Sequence, residues 1–342
     1  MRTSELRCMV QRGAILIAGG GGFIGGWMAK GAFDRGFSFV RCVDVKPFDE
    51  WYQVHSDSDN LILDLGNPDD CRRALRGVDY VINLAADMGG MGYIEAHRAN
   101  CMVSVLINTN LLCAARDLGA KRYFFSSSAC VYNIDKQRDA DVTPLKEDDA
   151  YPAMPEDGYG WEKLFSERMC RHFYEDFNVQ TRTARYHNVY GPHGTWDGGR
   201  EKAPAAICRK VAAAKLSGKH EIEIWGDGEQ TRTFMYIDDC VHGTFMLTDS
   251  DFADPINLGS SELVSINQMV DVVEKIAGIK LKRSYKLDAP KGVRGRSSDN
   301  TLIQKVFNWE PTISLEAGLE KTYRWIYDQM VASSPIPQIA KS

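Results

Sequence analysis

Tyr159 and Lys163 stand four residues apart, a spacing that places both on one face of a helix, where the lysine charge favours phenolate and lowers the phenol pKa. A phenol so placed can take the proton of a carbinol while the Ser128 hydroxyl holds the same oxygen, which helps a hydride leave the carbon. Tyr159 and Lys163 also stand where a nicotinamide cofactor would be held. A second set of groups can move protons. The stretch Ser128-Ala129-Cys130-Val131-Tyr132 supplies a thiol, and Gly198-Gly199-Arg200-Glu201-Lys202-Ala203-Pro204 supplies an amine. A thiol near a cation can act as a thiolate base, whereas a lysine, near pKa ~10.4 when unperturbed, begins as an acid.

Hydride chemistry needs an acceptor, and the amino-terminal region has the residues to hold a dinucleotide. The apolar run Ala14-Ile15-Leu16-Ile17-Ala18 passes into Gly19-Gly20-Gly21-Gly22-Phe23-Ile24-Gly25 and then into residues that can form a helix. Gly19, Gly22 and Gly25 let the backbone approach a pyrophosphate, and a helix start around Phe23 and Ile24 turns free N–H groups towards its charge. A second apolar run, Phe39 to Val43, ends at Asp44, close to the roughly 20-residue spacing of a ribose-binding acid. Its carboxylate accepts hydrogen bonds from ribose hydroxyls and repels a 2′-phosphate, so the expected cofactor is NAD and not NADP. Asp64, after Leu61-Ile62-Leu63, is a candidate for the adenine.

Strand candidates alternate with helical patterns as far as Tyr190: Tyr80 to Ala85, Arg122 to Ser126 and Thr181 to Tyr186 join the two runs above. The pattern predicts an α/β fold, a Rossmann-type doubly wound parallel sheet, with ligands at the carboxyl ends of its strands. Asp87 to Gly92, with Leu84 and Ala85 before it, Ser126 to Cys130 and Tyr186 to Gly191 all fall at such ends. The 342 residues are long for one compact unit, which adds a smaller second domain. With 41 basic and 46 acidic side chains the net charge is −5, so no basic field for nucleic acid or an anionic membrane is present. No apolar run reads as long enough to span a bilayer, and the first 13 residues lack the apolar segment of a signal peptide. Nine cysteines, odd in number and without a Cys-x-x-Cys pair, point to a reducing, cytoplasmic setting and to no metal site.

Taken together, the glycine turn, Asn83-Leu84-Ala85-Ala86, Ser126-Ser127-Ser128, Tyr159 with Lys163, Asn188-Val189-Tyr190-Gly191-Pro192, Gly226 to Arg232 and Asn257-Leu258-Gly259 resemble the extended short-chain dehydrogenase/reductase superfamily over nearly the whole chain. Within it the chain is most similar to the GDP-mannose 3,5-epimerases. That likeness rests on Ala86 to Gly92, Ser127-Ser128-Ala129-Cys130, Gly194-Thr195-Trp196 followed by Gly198 to Ala206, and Gly292-Val293-Arg294-Gly295-Arg296.

The resemblance implies an isomerase that oxidises carbon 4 of a GDP-sugar with bound NAD, inverts carbons 3 and 5 beside the ketone, and reduces the ketone again. Cys130 and Lys202 match the family's acid/base pair. Gly89 matches its sugar contact, and Ala129, Asn188, Glu201, Lys202, Ala203, Lys210, Gln230, Thr231, Arg232 and Arg296 its nucleotide-sugar contacts. Residues 1–190 with 231–256 form the expected cofactor domain, 191–230 with 257–332 the substrate domain, and 333–342 a loose tail. A homodimer through helices at Asn100 to Leu118 and Tyr159 to Phe177 is implied by the same family. Gly25 and Gly158 stand where the plant enzymes commonly have alanine, and Ala212 to His220 reads as a different linker. Inversion of carbon 5 alone, a 4-epimerase on another nucleotide sugar, and a non-catalytic dinucleotide-binding regulator are the competing readings. His187 and His193 read as structural.

Overall fold

The computed structural model describes residues 12–289 and 292–333; the terminal tail apart from its first residue lies outside them. Six strands and their crossover helices build the first unit: β1 (Arg12–Ala18), α1 (Phe23–Asp34), β2 (Phe37–Asp44), β3 (Asp59–Ile62), α2 (Pro68–Leu75) and β4 (Tyr80–Asn83), then α3 (Met91–Ala96), α4 (Arg98–Val103), α5 (Val105–Leu118), β5 (Arg122–Ser128), α6 (Tyr159–Phe177) and β6 (Thr181–Tyr186). They form a parallel sheet in the order β6-β5-β4-β1-β2-β3, with the later strand Ile256–Leu258 added beside β6. Sheets covered on both faces read as continuous apolar runs, which is why β1 and β5 were visible in the sequence: Ile15 to Ala18 and Tyr123 to Phe125 are buried. The strand order reverses between β1 and β4, and ligands of such sheets bind in the crevice beyond that reversal.

The second unit begins with α7 (Ala203–Ser217). It adds a three-stranded sheet in which Thr231–Thr233 lies between Leu263–Ser265 and Gly295–Arg296, and a two-stranded ribbon of Glu221–Trp225 with Lys282–Lys286. Ile207 and Val211 of α7 share one apolar core with Met269, Leu319 and Tyr323. Two expectations change here. Thr231–Thr233 belongs to the small sheet, and the return to the first unit begins at Met235–Tyr236, which pairs with Val189–Tyr190. Ala212 to His220 is not a linker, because α7 runs on to Ser217 and stops at Gly218, whose left-handed φ of 70° closes the helix.

Contrary to the sequence reading, one helical stretch, Arg98–Leu118, is 21 residues long and apolar enough to cross a membrane by length and composition. Its inner side, including Cys101, Leu111, Leu112, Ala114 and Ala115, is buried within the protein. Met102, Val103 and Leu106 remain exposed.

A buried ion pair fixes α6 against the sheet. The Arg185 guanidinium donates to both carboxylate oxygens of Glu167, at 2.9 and 2.8 Å, and to the Glu147 carbonyl at 2.6 Å, while Ser127 donates to Glu167 at 2.5 Å. Glu167→Ala strands the guanidinium without its counter-charge, and loss of one partner of a buried pair costs about 3–5 kcal/mol. The denaturant midpoint of that variant, measured by circular dichroism, should fall accordingly.

Candidate active site

The glycine turn lies where the sheet order reverses. Gly19 has φ +83°, and a Cβ there would sit 3.1 Å from the Ala85 amide and the Leu84 carbonyl carbon, so the turn rests on the end of β4. Gly22 begins α1 without a side-chain cap, leaving the first-turn N–H groups around Phe23 and Ile24 for an anion. Gly25 allows α1 to lie on the turn, since a Cβ there would reach to 2.0 Å of the Gly19 carbonyl oxygen. Asp44 closes β2 and accepts the Gly21 and Lys46 N–H groups, at 3.1 and 3.2 Å. An uncapped helix start, a close-packed glycine turn and a carboxylate at the second strand end fit the diphosphate and ribose of NAD. Asp64 is partly spoken for: it accepts the Gly66 N–H at 2.8 Å within its own turn.

The hydride set converges at the end of β5. Ser128 is the last residue of that strand, and its hydroxyl accepts the Cys130 N–H at 3.2 Å. Tyr159 opens α6 after Gly158, whose φ of +63° favours glycine over the alanine of the plant enzymes. Lys163 lies one turn on, fully buried, with its ammonium 5.5 Å from the Tyr159 ring centroid and 4.7 Å from that of Phe125. In the polypeptide alone the phenol is not depressed as the spacing suggested. Burial, then the charges of Cys130 and Glu162, push it well above its ordinary 10, and the Ser128 hydroxyl opposes them.

A cavity of about 320 Å³ joins this set to the second unit. Gly89, Ser128, Ala129, Cys130, Asn188, Glu201, Lys202, Ala203, Lys210, Gln230, Arg232 and Arg296 all line it. Thr231 does not: its hydroxyl donates to the Ala140 carbonyl, on the other face of the small sheet. Strand alternation, which sends Gln230 and Arg232 one way and Thr231 the other, accounts for this. Gln230 donates to the Trp225 carbonyl at 2.9 Å, and its buried amide oxygen has no partner among the described residues. Lys210 donates to the Glu223 carbonyl at 2.7 Å, and Asn188 to the Thr233 carbonyl at 2.9 Å.

Cys130 and Lys202 reach the cavity from different walls, Cys130 from the turn after β5 and Lys202 from the N-cap of α7. Their shifts run against the thiolate base and ammonium acid of the sequence reading. Burial, with Glu156 adding to it, pushes the Cys130 thiol up to about 11, and burial lowers Lys202. Arg296 binds Gln137 Oε1 at 2.6 Å, Glu156 Oε2 at 2.8 Å and Cys130 Sγ at 3.5 Å.

Two groups escaped the sequence reading. Glu156 reads as one more acid in a loop, and Gln137 as a polar surface residue; both are drawn in by an arginine more than 130 residues later. A clasp ties the segment before α3 to the segment before α7: Arg200 donates to Asp87 at 3.2 Å and to the Tyr93 hydroxyl at 2.7 Å, and Tyr93 donates to Asp87 at 2.8 Å. Neither His187 nor His193 is among the residues that line the cavity. His187 bonds Asn257 at 2.9 Å and burial pulls it down to about 3, while His193 packs between Trp27 and Trp325. Among the described residues no cluster of three His, Cys, Asp or Glu side chains is placed to hold a metal.

Comparison with known proteins agrees with this geometry. GDP-mannose 3,5-epimerase 1 of Oryza sativa subsp. japonica is 45% identical over 317 residues, covering 92% of this chain and 82% of its own, and the Arabidopsis thaliana GDP-mannose 3,5-epimerase is 44% identical over the same shares. Among solved structures, Bacillus cereus UDP-glucuronic acid 4-epimerase, in complex with UDP-glucuronic acid and NAD, superposes with a TM-score of 0.78 at 25% identity, covering 92% of this chain and 99% of that one. Residues 15–259 match the NAD dependent epimerase/dehydratase family. That match runs from β1 through the glycine turn, the serine turn and Tyr159 to the last strand of the sheet, and the chain belongs to this family of NAD-dependent enzymes.

Proposed function

We propose that this chain is a GDP-mannose 3,5-epimerase, converting GDP-D-mannose to GDP-L-galactose, with GDP-L-gulose as the 5-epimer, through a 4-keto sugar. The observation that carries the reading is the arrival of Cys130 and Lys202 in one cavity from separate walls, beside a complete Ser128, Tyr159 and Lys163 set. A 4-epimerase needs only the latter.

NAD, held by the glycine turn and Asp44, would supply the acceptor and donor of the carbon 4 hydride. Lys163, with the positive nicotinamide of bound NAD, would favour the Tyr159 phenolate that the protein alone disfavours; Tyr159 then takes the proton of the carbon 4 hydroxyl and Ser128 holds its oxygen. Once carbon 4 is a ketone, the C–H bonds at carbons 3 and 5 become acidic. Inversion then requires one group to remove a proton from one face and another to deliver one to the opposite face, the roles we give Cys130 and Lys202. Arg232 and Arg296 suit the diphosphate, and the open acceptor of Gln230 suits the donor edge of guanine. Clasp closure by Arg200, Asp87 and Tyr93 brings the Gly89 loop and the Lys202 loop together, since the Gly90 N–H donates to the Arg200 carbonyl at 3.0 Å.

The reading extends to a cytoplasmic homodimer. Met102 and Leu106 on α4 and α5 and Trp161 and Phe165 on α6 are exposed, apolar and spaced four apart, so each pair lies on one helix face. Two copies of this surface would bury it as a four-helix bundle. The eight described cysteines are unpaired, which suits a reducing compartment.

Protein purified without added NAD and incubated with GDP-mannose in heavy water should yield galactose and gulose products carrying deuterium at carbons 5 and 3 by NMR. Exchange at carbon 5 alone would select the narrower enzyme. Tyr159→Phe should lower turnover by about 10²- to 10⁴-fold and suppress the ketone. Cys130→Ala should instead still form the ketone, seen by trapping with borodeuteride, and lose most deuterium exchange; normal epimerisation by this variant would remove the cysteine from the mechanism. Leu106→Glu with Phe165→Glu should give a monomer by light scattering, and a persistent dimer would place the interface elsewhere.

A further inference from the structure

Beside the start of α1 an exposed tyrosine meets a half-buried threonine 143 residues away: the Tyr52 hydroxyl and Thr195 Oγ1 stand 2.5 Å apart. Neither has a part in the hydride or proton roles above, and each is the tip of a separately seated arm. The first arm is the connection from β2 to β3. Its Trp51 is buried, donates from Nε1 to the Lys46 carbonyl at 2.9 Å, and lies so close to the glycine turn that a Cβ on Gly21 would reach to 2.6 Å of the indole. The Tyr52 N–H and the Lys46 ammonium both donate to the Gly21 carbonyl, at 3.3 and 3.0 Å, and that ammonium is 5.2 Å from the Tyr52 ring centroid. The second arm follows Val189–Tyr190. Its Pro192 carbonyl accepts the Trp27 indole N–H of α1 at 2.9 Å, and a Cβ on Gly194 would reach to 3.0 Å of the Phe23 ring. The two arms therefore rest on Gly21 and on Phe23, and between these stands only Gly22, the N-cap of the helix start assigned above to the diphosphate.

We propose that the Tyr52–Thr195 hydrogen bond is a latch across the diphosphate site: closed, it retains NAD, and it breaks for NAD to enter or leave. The proposal rests on the NAD-dependent family and on the geometry of the helix start, not on which sugar reacts. Gly19 to Gly22 carry no side chains, so retention of a diphosphate beyond its backbone N–H contacts falls to the arms on either side. The Lys46 ammonium, held at the Gly21 carbonyl beside Tyr52, adds a cation to a helix start that already favours an anion. The seats and the link differ in strength. Trp51, Phe23 and Trp27 all pack into the same apolar core, which fixes the seats, whereas the link is one bond between neutral hydroxyls that water can replace. Its rupture frees the two tips without unseating either arm, which is what a reversible latch requires.

The test is cofactor exchange, read without sugar. Protein loaded with isotopically labelled NAD is mixed with a large excess of unlabelled NAD, and the label that stays bound is followed by rapid gel filtration and mass spectrometry. Tyr52→Phe keeps the ring beside Lys46 and removes only the hydroxyl, while Thr195→Val removes the other partner. Loss of one neutral hydrogen bond corresponds to about 2- to 10-fold, so the label should leave each variant faster than the parent by that factor. The double variant should lose it no faster than the faster single one, because both changes delete the same bond. Parent-like exchange in both single variants overturns the proposal. Effects that multiply in the double variant also overturn it, since the two side chains would then act separately. Should one variant not fold, the other decides by the same comparison with the parent. Because no turnover is measured, failure of this experiment leaves the epimerase reading standing, and failure of the heavy-water experiment leaves the exchange readable.

Discussion

A guanidinium removed from water must find its counter-charge and acceptors inside the protein, and Arg296 finds them in segments far apart in the chain. Its partners are Gln137 and Cys130, just after β5, and Glu156, just before α6. Arg296 itself belongs to the small sheet of the second unit, so this one cation joins the two units at the floor of the cavity. The join is reinforced around it: the Arg294 N–H donates to the Gln137 carbonyl, the Leu145 N–H to the Ser297 carbonyl, and Gly295 lies so close to the Asp139 carbonyl that a Cβ would reach to 2.1 Å. The placement of Cys130 against Tyr159 and Lys202 follows from that seam. Loss of one partner would leave the other charge buried and unpaired at a cost of about 3–5 kcal/mol, a large fraction of the net stability of a domain.

The cofactor half of the molecule was largely legible in the sequence, and the reasons are physical. Strands buried on both faces must be apolar throughout, so β1, β5 and β6 show as runs, and a turn that approaches a pyrophosphate needs glycine where φ is positive, as at Gly19. The substrate half was legible only through its resemblance to a family. Its strands are as short as Gly295–Arg296, too short for any period to show, and Thr231–Thr233 was assigned to the wrong unit for that reason. Alternation along that strand turns Thr231 away from the cavity, a signal that is present in the sequence. Glu156 carried no local signal at all, since its burial depends on Arg296, 140 residues on.

The electrostatics of the site separate its two chemistries. The hydride set sits on the sheet, on β5 and α6, while the proton set is shared between the turn after β5 and α7 of the second unit. Burial raises the Cys130 thiol to about 11 and lowers the Lys202 amine, so it favours the uncharged form of each.

The account depends on one cofactor held through the whole cycle, taking hydride from carbon 4 and returning it to the same sugar. GDP-mannose carrying deuterium at carbon 4, mixed with unlabelled GDP-mannose of a distinguishable nucleotide isotope, tests this by mass spectrometry of the galactose and gulose products. Full retention of deuterium on the molecules that began with it is the predicted result. Loss of the label to water, or its appearance on the unlabelled pool, would contradict the account.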